Sequence, residues 1–61
     1  MRYILESYYR AASGERVLAK FVVHDPVISY DGIWCSHETA WGGIVRCFHK
    51  WVNVVNFFKE G

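Results

Sequence analysis

The 61-residue sequence predicts an α+β fold: an antiparallel sheet of three or four short strands packed against one C-terminal amphipathic helix, in the order β-β-β-α. Three observations carry that prediction. Apolar residues alternate through the first half of the chain. Turn-forming residues, Gly14, Asp25-Pro26 and Asp31-Gly32, punctuate it. From Ser36 onward apolar residues recur at helical spacing. A chain of this length holds one domain, so residues 1–61 read as a single compact unit, with strands within about 2–35 and a helix over about 37–59.

The first strand runs from Arg2 to Arg10, where Tyr3, Leu5 and Tyr9 alternate with Arg2, Glu6, Tyr8 and Arg10 and only Ser7 breaks the pattern. Ala11 to Arg16 forms a polar loop whose Gly14 is free to take positive φ and close a hairpin. In the second strand Val17, Ala19, Phe21 and Val23 share one face, and Leu18, Lys20, Val22 and His24 share the other. Asp25-Pro26 is expected to end it, because proline offers no ladder donor and restricts its predecessor. Val27 to Tyr30 and Ile33 to Cys35, on either side of Asp31-Gly32, supply one or two further short strands.

Ser36 then reads as a helix N-cap, with Glu38 near the positive end of the dipole. On a wheel, Trp41, Ile44, Val45, Cys47, Phe48, Trp51, Val52, Val54, Val55 and Phe58 cover about half the circumference, against the third or so that packing on one sheet requires. Arg46, His49, Lys50, Asn53 and Asn56 occupy the remainder, with Phe57 stranded among them. Gly42-Gly43 either delays the helix or admits a close backbone approach.

Composition turns attention to partners. Apolar residues make up 52% of the chain and aromatics 18%, more than one small core encloses, so some rings must lie at the surface. Such rings commonly supply the binding energy of interfaces. The expected partner-binding residues are Trp34, Trp41, Trp51, Phe57 and Phe58, with Tyr8 and Tyr9 as a second patch, and the expected assembly is a homodimer or a complex with another protein. The competing role for the three tryptophans is the core itself. No apolar run approaches the roughly 18 residues needed to cross a bilayer, and neither a signal peptide nor a dense cysteine framework is read, so the expected setting is soluble and cytoplasmic.

Chemistry-bearing motifs are few. Cys35-Ser36-His37 and Cys47-Phe48-His49 repeat a Cys-x-His pattern. Cys35 and His37 would share a strand face, but a helix would hold Cys47 and His49 about 160° apart, where one ion cannot bridge them. No metal or other cofactor is therefore expected: Cys47 reads as a small core residue, His49 as a solvated one and Cys35 as a strand end. Cys35 before a helix N-terminus, near His37 and Glu38, suggests an activated thiol, but 61 residues leave little wall for a catalytic pocket. Phosphate-loop, paired-carboxylate and triad patterns are absent, and His24 beside Asp25 reads as strand-end polarity, so the chain is expected to be non-enzymatic.

Nucleic-acid binding is the alternative. Arg10 and Arg16 flank Tyr8 and Tyr9 at the first hairpin, a combination that stacks and neutralises single strands. Arg46, Lys50 and Asn53 would add a polar helix face. A formal charge of only +1 argues that any such footprint is local.

The order hairpin, strand, Ser-capped helix, with the stretch Gly32-Ile33-Trp34-Cys35-Ser36-His37-Glu38-Thr39-Ala40 at its junction, resembles the β-β-β-α antitoxin domains of the HicB type over about half the chain. That family's acidic helix and separate DNA-binding segment have no counterpart here. The resemblance implies a small regulator or inhibitor of phage or mobile-element kind that occludes a partner protein.

Overall fold

Five antiparallel strands make up nearly the whole chain in the computed structural model, which describes residues 2–60. They are β1 (Tyr3–Arg10), β2 (Arg16–Ile28), β3 (Gly32–Glu38), β4 (Ile44–Lys50) and β5 (Val54–Lys59), with a single 3-10 turn, Trp51–Asn53, between the last two. The sheet order is β4-β3-β2-β1-β5. Among the described residues there is no α-helix, and the expected β-β-β-α architecture is replaced by an all-β one.

The physical reason lies in residue type. From Ile44 to Phe58 only Arg46 and Lys50 are strong helix formers, with no Ala, Leu, Met, Glu or Gln, and the stretch is dominated by β-branched and aromatic side chains. Its apolar doublets fit a helical wheel, yet in a strand each doublet simply places one apolar residue on either face. Gly42 and Gly43 belong to a hairpin turn: Gly42 has φ +81°, the Thr39 amide donates to the Gly43 carbonyl at 2.9 Å, and the Gly43 amide donates to Thr39 Oγ1 at 2.9 Å. Ser36 caps nothing, since its hydroxyl accepts Arg46 Nη1 at 2.9 Å. Without the helix the likeness to HicB-type antitoxins lapses, and with it the regulator and inhibitor reading it implied.

Asp25-Pro26 does not end β2. The register steps from His24↔Ser36 to Val27↔Trp34, so two residues of β2 face Cys35 alone. This β-bulge absorbs the residue without an amide hydrogen. Asp25 takes φ 50°, and Arg46 Nη1 donates to its carbonyl at 2.7 Å.

The registers define two faces. Leu5, Ser7, Phe21, Val23, Ile33, Cys35, His37, Cys47, His49 and Phe57 lie on the inner one. Leu5, Val23, Ile33 and Cys35 form its fully buried centre. A flat single sheet layer cannot bury side chains to that degree. The sheet curls, so that the three-residue turn Trp51–Asn53 joins its two edge strands, and Tyr3, Phe21, Val54 and Phe57 pack against the buried centre. Trp51 donates its amide to the Asp31 carbonyl (3.3 Å) and its indole Nε1 to the Ser29 carbonyl (2.9 Å), while the Asn53 carbonyl accepts Ser7 Oγ at 3.2 Å. The stacked Tyr3 and Phe57 rings, 5.3 Å apart and within 8° of parallel, close the other end. Gly32 sits where a Cβ would strike the His49 carbonyl and the Phe48 ring, so that position admits only glycine. Among the described residues no helix is long and apolar enough to cross a membrane.

Candidate metal centre

Both Cys-x-His motifs lie on strands, and the strands are neighbours. In the β3–β4 ladder Ile33 pairs with His49, Cys35 with Cys47, and His37 with Val45. Alternation sends all four motif side chains to the inner face. The objection that a helix would separate Cys47 from His49 therefore fails with the helix itself.

The two imidazoles approach each other from either side of the Cys35–Cys47 rung. His37 Nε2 lies 2.9 Å from His49 Nε2 and 3.5 Å from Cys35 Sγ. The three ligand atoms lie within 4.8 Å of one another. Tetrahedral zinc, with bonds of about 2.0–2.1 Å to nitrogen and about 2.3 Å to sulfur, spaces its ligands about 3.3 Å apart for two nitrogens and about 3.6 Å for nitrogen and sulfur. The Cys35–His37 separation matches, the His37–His49 separation needs to open by about 0.4 Å, and the Cys35–His49 separation, the widest of the three and within 4.8 Å, needs to close toward about 3.6 Å. Cys47, half-buried and directly opposite Cys35 in the ladder, stands outside this trio.

The surroundings favour uncharged ligands. Burial lowers the pKa values of both histidines, and His37 lowers that of His49 further. Burial also pushes the Cys35 thiol up to about 11, with Cys47 adding to the rise and Arg46 opposing it. Two neutral imidazoles share one proton across a 2.9 Å contact, one ring donating and the other accepting. Phe21 walls the cluster, its ring 4.8 Å from that of His37 and 5.7 Å from that of His49. A divalent metal ion that binds the sulfur would displace the thiol proton to solvent and hold the thiolate. Cys35 is otherwise a poor nucleophile, protonated and fully enclosed.

The residues expected to bind a partner do not form one surface. Trp34 and Phe58 are partly exposed on the outer face, Trp34 packing on Phe48 at 5.0 Å. Trp41 stands almost wholly exposed in the β3–β4 turn. Trp51 is tied down in the 3-10 turn, and Phe57, expected on a polar helix face, instead stacks inside on Tyr3. The tryptophans are not the core, which is made of smaller side chains. Tyr8, Tyr9, Arg10, Arg16 and Asn53 do come together around a cleft at the far end of the sheet. Arg46 and Lys50 lie apart from them on β4, with Arg46 engaged by the bulge, so the basic helix face does not exist.

Comparison with protein-family models, curated proteins and solved structures finds no match to this chain. The reading of the site therefore rests on its own geometry. Sequence reasoning noticed the four motif residues and set them aside, because a helix would part Cys47 from His49 and because their spacing misses the usual zinc patterns; the missing signal was the predominance of β-branched and aromatic residues after Gly43.

Proposed function

We propose that this chain is a small metal-binding β-module that takes a zinc-type divalent ion at Cys35, His37 and His49, with Cys47 or water completing the tetrahedron, and that it acts by binding rather than by catalysis. The convergence of one sulfur and two imidazole nitrogens within 4.8 Å, at the edge of the buried core, carries the reading. A mixed nitrogen and sulfur donor set suits Zn²⁺ and disfavours Mg²⁺ or Ca²⁺, which take oxygen. A bound ion would cross-link β3 and β4 in a domain whose hydrophobic core has four fully buried members. The excess of exposed apolar side chains, Ile44, Val45, Val52 and Val55 among them, supports a protein partner or a second copy as the module's target.

Titration of the reduced protein with Co²⁺ tests the site directly. One equivalent should produce the intense visible bands of a tetrahedral, thiolate-bound ion, and Zn²⁺ should bleach them. Cys35→Ser and His49→Ala should each weaken Co²⁺ binding by at least about tenfold. A spectrum of octahedral, oxygen-bound Co²⁺, or the same affinity in both variants, would overturn the assignment.

A further inference from the structure

At the end of the sheet remote from the cysteines, β5 pairs with β1 only as far as Ser7. Tyr8, Tyr9 and Arg10 run on beyond it and, with Arg16 and Asn53, line a cleft of about 130 Å³. Arg10 and Arg16 are direct cross-strand partners. Like charges in that position repel and ordinarily need a carboxylate between them. Here neither guanidinium is in an ion pair with an acidic side chain among the described residues: Arg10 Nη1 donates to the Gly14 carbonyl at 2.8 Å and Arg16 Nη2 to Asn53 Oδ1 at 3.1 Å. Both bonds use neutral acceptors and leave the two positive charges uncompensated at the mouth of the cleft.

The rings add a second requirement. The Arg16 guanidinium lies over the Tyr8 ring, 4.5 Å from its centre, and Tyr9, 49% exposed and the next residue along β1, lines the same cleft. A guanidinium held over a tyrosine ring is a platform for a further planar group. A ligand that satisfies the site must bring both negative charge and a flat ring. Acidic peptides bring the first and seldom the second. We infer that this cleft binds single-stranded nucleic acid, with Arg10 and Arg16 on phosphates, a base stacked on the Tyr8–Arg16 or Tyr9 surface, and the Asn53 amide at a base edge. The site shares no residue with the metal centre, so either assignment can fail alone.

Fluorescence anisotropy with a labelled oligothymidylate of about ten nucleotides, at low salt, is the test. Binding should weaken with salt. Two phosphate contacts contribute a slope of about −1.4 in log K against log salt, or about sevenfold between 50 and 200 mM. Arg10→Gln/Arg16→Gln should remove that contribution and weaken binding at low salt by at least about tenfold. Arg10→Lys/Arg16→Lys should keep the salt slope yet lose affinity, because an ammonium does not lie flat on Tyr8. Circular dichroism confirms that each variant stays folded. Thymidine monophosphate should compete only weakly, which separates a strand from a free nucleotide. Absence of binding at low salt, equal binding of polyglutamate, or an unchanged affinity and slope in the glutamine variant would each overturn the inference.

Discussion

The two ends of the inner face are filled with different chemistry. Around β1 and β5 the sheet closes on hydrocarbon and rings, with Leu5 fully buried beneath the Tyr3–Phe57 stack. Around β3 and β4, positions of the same alternation hold Cys35, His37, Cys47 and His49. A thiol and two imidazoles bury less apolar area than leucines would, and each imidazole must find a partner for its nitrogens. The first end is stabilised chiefly by packing. The second gives up packing for donor atoms, which makes sense if a cation collects them.

The largest effect should come from attacking the packed end. Leu5→Ala removes a side chain with no solvent exposure and should cost about 3 kcal/mol in urea unfolding, with or without metal. An unchanged midpoint would mean that the packed end is not where stability resides. The ligand end should behave oppositely. Zinc at about 100 times its dissociation constant should raise stability by about 2.7 kcal/mol, and His37→Leu or His49→Leu should abolish that gain while leaving the metal-free protein folded. Equal zinc stabilisation of the wild type and both variants would erase the contrast. Gly32→Ala probes the seam between the ends: a methyl group forced against the His49 carbonyl should cost about 2 kcal/mol and displace a ligand, visible as lower Co²⁺ affinity. The smallest change concerns the Trp51–Asn53 turn, a strap tied to β1 through the Ser7 hydroxyl. Ser7→Ala leaves the Asn53 carbonyl without its donor and should cost about 1 kcal/mol by thermal unfolding, with metal affinity unchanged.

Legibility followed the same division. The hairpin of β1 and β2 was readable because its alternation is nearly unbroken: Val17, Ala19, Phe21 and Val23 do line the inner face. Ser7, which spoils the pattern on paper, is buried on that face because its hydroxyl meets the strap. Pro26 misled because a bulge lets a strand pass through proline, and the bulge depends on Arg46, twenty residues further on. The second half misled more deeply. Doublets such as Ile44-Val45 and Val54-Val55 satisfy a helix of 3.6 residues per turn and a strand with two apolar faces equally well, and propensity alone favoured the strand.

By itself the sequence determined a first antiparallel hairpin, an excess of apolar surface and the presence of two Cys-x-His motifs, because these depend on composition and on neighbours in the chain. Only the tertiary structure decided that residues 44–59 are strands, that β4 lies beside β3 and β5 beside β1, and hence that Cys35, His37 and His49 meet. Ladder hydrogen bonds join residues distant in sequence, so the face a side chain occupies and the groups it reaches are fixed by pairing partners that no local pattern names.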